Sequence, residues 1–422
     1  MTLYHIINTI IAALFFICYF YQFIYTAAAL FKGKPCQKEF RLHNYAVLIA
    51  ARNEEMVVSG LINSIKEQIY PGELITVFVV ADNCTDCTAA VAKSCGAVVY
   101  ERSNPALVGK GYALDFLLKR IGEDYPENAF DGYFVFDADN VLEPDYIYEM
   151  NRVFSQGYRV VTGYRNSKNY GDNWISAGYG LWFLRESQSL NKARYILGTS
   201  CNISGTGFVF SNEIVKRMGG WKYYLLTEDL EFTADHVIKG EKIGYCENAV
   251  LYDEQPTGMA QSVRQRTRWC KGYFQVLAKH GKELVQGAFT DGNFSCYDML
   301  MSMTPAFVLS LAGVIANIIW MITSIISGAG IAAVVLEAVR GIFSGYMMFF
   351  VLGLITTLTE WGRIETSAAK KILYTFTFPL FMFTYLPVSI GAIFAKAEWK
   401  PIFHGKSYSL SHSKSRNQNQ IP

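Results

Sequence analysis

The chain has 422 residues, of which 51% are hydrophobic and 15% aromatic, and its net charge is only +2. That content is high for a soluble protein, and so small a net charge offers no large basic face, so nucleic acid is not an expected partner. Nine scattered cysteines make no disulfide framework. Cys84-Thr85-Asp86-Cys87, with Cys95 nearby and no His in that stretch, falls short of the four ligands of a zinc site. Reduced cysteines on a cytosolic side are expected.

Residues 5–31 carry no charged side chain apart from His5, and they exceed the roughly 20 apolar residues that cross a bilayer. The run is too long for a signal-peptide core, and no basic segment precedes it. Lys32, Lys34, Lys38 and Arg41 follow at once. The positive-inside rule therefore puts residue 32 onward in the cytoplasm and the N-terminus outside.

Residues 40–285 read as an α/β unit. Short apolar runs at 45–50, 75–81 and 133–136 suit buried strands, with helical stretches at 54–68 and 111–120 between them. Such alternation predicts a parallel sheet with helices on both faces, and ligands in such sheets bind beyond the carboxyl ends of the strands. Polar residues stand at those ends: Arg52, Asn53 and Glu54 after the first run, Asp82 and Asn83 after the second, Asp137 and Asp139 after the third. Asn and Asp also cap helices and form turns, a sufficient reason for any one of them. Two carboxylates at i and i+2 are different, because they repel unless a partner such as a divalent cation joins them.

Mg²⁺ or Mn²⁺ held by Asp137 and Asp139 would neutralise charge on a leaving diphosphate, as in a nucleotide sugar. Ala50, Arg52, Glu54, Asp82, Lys110 and Asp137 are the candidate contacts for a UDP-sugar, with Asp82 at the uracil or ribose edge. Lys110, flanked by Gly109 and Gly111, would meet phosphate as a point charge, or else is a solvated lysine at a helix start. Displacement at an anomeric carbon also needs a base for the acceptor hydroxyl. Asp229 in Thr227-Glu228-Asp229 is the candidate, with Thr227 as N-cap and both acids in the first turn. Glu231 is the alternative base.

A helix over 259–280 would carry Gln265, Arg268 and Trp269. Gln265 and Trp269, four apart, share a face with Arg268 beside them. Arg268 could hold the departing phosphate, and Trp269 offers a ring on which a sugar stacks. Arg264, Arg266 and Lys271 would give the same helix a basic side lying on a membrane. Three further apolar segments follow, at 301–326, 331–358 and 372–395. Glu337 and Arg340 in the second are spaced to pair on one helical face. Pro379 and Pro387 in the third leave a kinked span, a re-entrant segment and an interfacial helix open. Arg363, Lys370 and Lys371 place the preceding loop in the cytoplasm. Residues 407–422 are polar, and disorder is expected there.

Asp82, Asp137-Ala138-Asp139, Thr227-Glu228-Asp229 and Gln265-x-x-Arg268-Trp269 occur in that order, and together they resemble the membrane-embedded family 2 glycosyltransferases. Cellulose, chitin and hyaluronan synthases belong there. The layout is most similar to the Nod-factor and poly-β-1,6-N-acetylglucosamine synthases. The resemblance implies a Rossmann-like, GT-A type α/β domain at 32–285, between an N-terminal transmembrane helix at 1–31 and a membrane region at 286–398, with a polar tail at 399–422. It implies inverting transfer from a UDP-sugar to a growing polysaccharide or oligosaccharide, with transfer of one sugar to a membrane lipid as the alternative. Asp82 and Asp137 would contact UDP, Asp139 the metal, and Asp229 would be the base. Gln265, Arg268 and Trp269 would line the acceptor and diphosphate site, and residues 204–207 would form a loop near the acceptor. A multi-pass plasma-membrane protein with a cytoplasmic catalytic domain is expected. Export through so few spans would call for a second copy or a partner. A transporter or an inactive scaffold fits less well, since the acids and Arg268 are intact and no repeated halves appear.

Overall fold

The computed structural model describes residues 3–31 and 40–396. Lys32, Lys34 and Lys38, on which the topology expectation leaned, and the tail at 399–422 lie outside the described residues. Eight strands form one sheet: β1 (Tyr45–Ala51), β2 (Ile75–Asp82), β3 (Val98–Arg102), β4 (Gly132–Asp137), β5 (Val141–Leu142), β6 (Val160–Ser167), β7 (Phe208–Ser211) and β8 (Ile243–Asp253). Their order is β3-β2-β1-β4-β7-β6-β8-β5.

The first half is parallel, as the alternating pattern predicts. β1 is apolar on both faces because both are covered. Ala46 and Leu48 pack with Leu114 and Leu117 of the helix Lys110–Asp124. Val47 and Ile49 pack on the other side with Leu61, Ile62 and Ile147. Beyond β4 the sheet is mixed, and the expectation of a purely parallel sheet fails there. β7 runs antiparallel to both β4 and β6, and β5 antiparallel to β8. A parallel strand needs a crossover that returns the chain to the starting end. Here the chain enters β7 through residues 204–207, which already lie at the carboxyl end of β4, where the Gly207 N–H donates to the Val135 carbonyl.

The apolar segments are helical. Among the described residues three helices are long and apolar enough to cross a membrane: Phe294–Ile326, Ile331–Thr359 and Ala368–Phe394. The N-terminal run is not one straight helix. It is bent by 42° between Tyr4–Tyr19 and Tyr21–Ala29. The second piece is tied by its hydroxyls to the helix that begins at Phe294: Tyr21 and Tyr25 donate to Asp298 at 2.8 and 3.0 Å. Arg185 donates to Gln22 at 2.7 Å. Glu337 and Arg340 do pair, at 2.5 Å. The C-terminal helix pair breaks at Thr384, and its first piece lies against the helix Trp174–Arg185, where a Cβ on Gly178 would meet the Phe381 ring at 2.3 Å.

Candidate active site

β4, β6 and β8 are parallel, so Asp137, Arg165 and Asp253 all sit toward the same end of the sheet. The register of β1 on β4 sets Ala50 beside Asp137. Lys110 is the first residue of its helix and ion-pairs with Asp137, while also donating to the Gly205 carbonyl at 2.7 Å. It is therefore a buried partner of the acidic pair, not a solvated lysine. Burial alone would lower the Lys110 ammonium, but Asp137, Glu228 and Asp229 outweigh it and hold the group above the ordinary lysine value. The same cation, with Arg165 and Arg268, holds Asp137 below the ordinary aspartate value against its enclosure. The Asp137 side chain nevertheless keeps 38% of its surface exposed, so it is open to a ligand.

Asp139 is buried. Its carboxylate accepts from the Glu254 N–H at 2.9 Å and from Asn140 at 3.3 Å, and its carbonyl accepts from Lys168. Among the described residues no three His, Cys, Asp or Glu side chains are gathered closely enough to hold a metal on their own. Asp253 lies beside this pair: burial raises its carboxyl, Arg165 opposes that, and Asp139 and Asp137 add to it.

Glu228 and Asp229 open the helix Glu228–Ile238. A Cβ on Gly205 would stand 3.7 Å from Asp229 Oδ2, which sets that carboxylate beside the 204–207 loop and near Lys110. Burial lifts both carboxyls. The charge of Asp229 lifts Glu228 further, to about 7, while Lys110 and Arg268 pull both back. Thr227 stands at the N-cap with both acids in the first turn, as expected, although its buried hydroxyl has no hydrogen-bond partner among the described residues. Glu231, the alternative base, is not placed beside Asp229. It is fully buried, ion-paired with Lys279, and accepts from the Leu225 N–H at 3.1 Å, because the helical period turns it away from Asp229 toward the next helix.

That next helix, Met259–Phe289, carries the remaining candidates. Arg268 donates to the Leu226 carbonyl at 2.8 Å and lies within electrostatic reach of Asp137, Glu228 and Asp229. Trp269 sits at the margin of the core, edge-on to Tyr179 and Phe183. Gln265 has a buried Oε1 with no hydrogen-bond partner among the described residues. Arg266 does not lie on a membrane-facing side. It is fully buried, donates to Thr384 at 2.6 Å, and stacks 4.6 Å from the Phe381 ring and 4.8 Å from Tyr385. The C-terminal helices cover this side of the helix, and only a delocalised cation among aromatic faces tolerates such burial.

Asp82 stands apart from this cluster. Asp82 is two strands from Asp137, about 10 Å away at ordinary strand spacing. It is buried and paired with Arg102 at 2.5 Å, beside a cavity lined by Ala81, Asn83, Cys84, Glu101, Arg102 and Ser103. Arg52 and Glu54 follow β1, where the Glu54 N–H donates to the Thr88 hydroxyl at 2.8 Å. Sequence reasoning missed Arg165, Lys168 and Asp253. The rule that found Asp82 and Asp137, an acid closing an apolar strand, would also have found Asp253 after Ala249-Val250-Leu251-Tyr252.

A family profile described as "Glycosyltransferase like family 2" matches residues 43–272, more than half of the chain. A probable glycosyltransferase, YdaM, of Bacillus subtilis is 26% identical over 258 residues, which cover 56% of this chain and 57% of that protein. A beta-monoglucosyldiacylglycerol synthase of Synechocystis is 26% identical over 235 residues, 54% of this chain and 47% of that protein. A poly-beta-1,6-N-acetyl-D-glucosamine synthase of Staphylococcus aureus is 22% identical over 254 residues, 58% of each. The chain thus spans only about half of the length of the curated relatives it matches. In fold it is similar to a mannosyltransferase from Pyrobaculum calidifontis solved with GDP-Man and Mn²⁺, at TM-score 0.58 and 16% identity, covering 91% of this chain and 98% of that one. With its acidic strand ends gathered on a mixed α/β sheet and the profile spanning that whole sheet, the chain belongs to the glycosyltransferase-like family 2.

Proposed function

We propose that the chain is an inverting glycosyltransferase that moves a sugar from a UDP-sugar to a hydroxyl of a growing polysaccharide or oligosaccharide at the plasma membrane. The observation that carries this reading is the convergence of Lys110, Asp137, Asp229 and Arg268 around one strand end, from four distant parts of the chain. The acceptor oxygen attacks the anomeric carbon and its proton passes to the Asp229 carboxylate. The bond from that carbon to the diphosphate oxygen breaks, and the departing charge meets Lys110 and Arg268. Trp269 and Gln265 border the acceptor, and the buried, unpartnered Oε1 of Gln265 supplies an acceptor for a sugar hydroxyl. Ala50, Arg52, Glu54 and Asp82 serve the nucleoside end, with Asp82 acting from its Arg102 pair.

A divalent cation suits the donor set. Asp137 and Asp139 offer hard oxygens, and Asp253 adds a third carboxylate beside them. Bound there with the diphosphate, Mg²⁺ or Mn²⁺ would stabilise charge on the leaving group. The proposed organisation is a membrane helix at 1–31, a cytoplasmic catalytic domain at 32–285 and a multi-pass membrane region at 286–398. A second copy or an export partner would complete a product path. A lipid acceptor is the second reading, supported by the similarity to beta-monoglucosyldiacylglycerol synthases.

Membranes carrying the protein are to be incubated with a panel of labelled UDP-sugars and the product sized, with and without EDTA. A β-linked chain of many sugars supports polymer synthesis, and a product of one sugar on extracted lipid supports the second reading. Activity should stop with EDTA and return with Mg²⁺ or Mn²⁺. Transfer from none of the donors overturns the proposal, and indifference to EDTA removes the metal from Asp139.

A further inference from the structure

Arg165 is the charged residue of the otherwise uncharged strand β6, and nothing in the transfer chemistry above employs it. Its Nε donates to Asp253 Oδ2 at 2.7 Å, and a second guanidinium nitrogen reaches the same oxygen. Its Nη1 donates to the Ser204 carbonyl at 2.7 Å, and the guanidinium lies 3.7 Å from the Phe183 ring centroid. The far oxygen of Asp253 is occupied by Gln255 Nε2 at 2.6 Å. Both partners are nearly inaccessible, with 14% and 4% of their side chains exposed. A buried ion pair adds little net stability, since desolvation cancels most of the attraction. What it does give is orientation, because the planar fork fixes every acceptor it touches.

The acceptors it touches lead to the site. Ser204 begins the 204–207 loop. The next residue, Gly205, takes Lys110 on its carbonyl and stands beside Asp229. Thr206 accepts the Asp137 N–H at 3.0 Å. One short loop therefore meets the phosphate-side lysine, the acidic pair and the base, and Arg165 holds its first carbonyl. The strand beneath is itself fixed from the opposite side. The Arg165 N–H donates to Ser187 at 3.1 Å, Tyr164 donates to Glu360 at 2.5 Å, and Asn166 donates to the Arg363 carbonyl at 2.9 Å. Glu360 and Arg363 belong to the loop between two membrane helices.

We propose that Arg165 and Asp253 are a positioning pair for transfer, which fixes the 204–207 loop and through it the relative placement of Lys110, Asp137 and Asp229; this rests on the transfer reading above. Arg165→Lys keeps the charge and loses the fork. Asp253→Asn keeps the shape and loses the charge.

The test uses the full-length protein in membranes, with R165K, D253N and the double variant. The expected result is a kcat lowered about 100-fold in each single variant, the order of loss that an ångström of misplacement causes. Donor KM and UDP affinity should stay within about threefold, and the double variant should be no slower than the slower single one, as for residues that act together. Thermal melts accompany each variant. A collapsed melt for R165K and D253N alike, or an unchanged kcat, overturns the proposal. So does a raised donor KM at constant kcat, which would make Arg165 a donor-binding group, and so do additive losses. A wild-type protein inactive with every donor overturns the transfer reading and the pair with it. An active wild type with an indifferent R165K overturns the pair alone.

Discussion

Asp229 and Glu228 are adjacent acids that the fold encloses together, and their environment sets what each can do. Asp229→Asn keeps the shape and removes the proposed proton acceptor. Transfer is expected to fall by about 10³-fold, within the range a general base contributes, while UDP binding by calorimetry stays nearly intact. Loss of UDP binding in that variant would contradict the assignment. Since burial raises the Asp229 carboxyl, the acid limb of kcat/KM should lie above the ordinary aspartate range. The same shifts act on stability. Glu228 releases its proton near its ordinary value of 4.5 when unfolded but at about 7 when folded. Its contribution is therefore whole below the lower value and is lost as pH rises through the higher one. Glu228→Gln should flatten that loss, giving a smaller fall in Tm between about pH 4.5 and about pH 7 than in the wild type.

The 204–207 loop brings β7 into the sheet, and its last residue shows how little room the turn has. Gly207 has φ +67°, and a Cβ there would lie 2.0 Å from Leu251 Cδ2 and 2.9 Å from Tyr146 Oη. Leu251 is itself buried and Tyr146 already donates to the Gly207 carbonyl, so neither can withdraw freely. Gly207→Ala is expected to cost about 2–4 kcal/mol in chemical denaturation. Gly219 is the control. Its φ is +68° but a Cβ there meets nothing within 4 Å, so Gly219→Ala should cost only about 1 kcal/mol. Equal costs would show that backbone conformation, not the packing beneath the site, limits the loop.

Across the whole molecule, the apolar helices and the sheet are joined by buried charge. Asp298, in the middle of the helix Phe294–Met303, accepts from Arg194 at 2.7 and 3.1 Å and from Tyr21 and Tyr25 of the bent N-terminal segment. Arg194 is fully buried and also pairs with Glu186. Asp298→Asn leaves that guanidinium short of charge, a loss of about 3–5 kcal/mol when a buried pair is broken. Thermal melts of the solubilised protein should show it, and an unchanged melt would mean that the N-terminal helix is held without help from the Asp298 pair.

The sequence by itself determined the strands β1, β2 and β4, the three long apolar segments that follow the helix Met259–Phe289, and that acids close β2 and β4. These are local properties: period, length and the residue that follows an apolar run. The candidates on one helix face, Gln265, Arg268 and Trp269, were legible for the same reason. Only the tertiary structure decided which charges meet. Asp82 pairs with Arg102 two strands from Asp137, Lys110 crosses to Asp137, Glu231 turns to Lys279, and Arg266 is enclosed by helices more than a hundred residues later. It also decided that the sheet turns mixed beyond β4, and that Arg165 and Asp253 stand behind the loop at the site. A side chain's partner depends on strand order and on which helices cover it, and both are set by contacts between distant segments, which spacing along the chain does not encode.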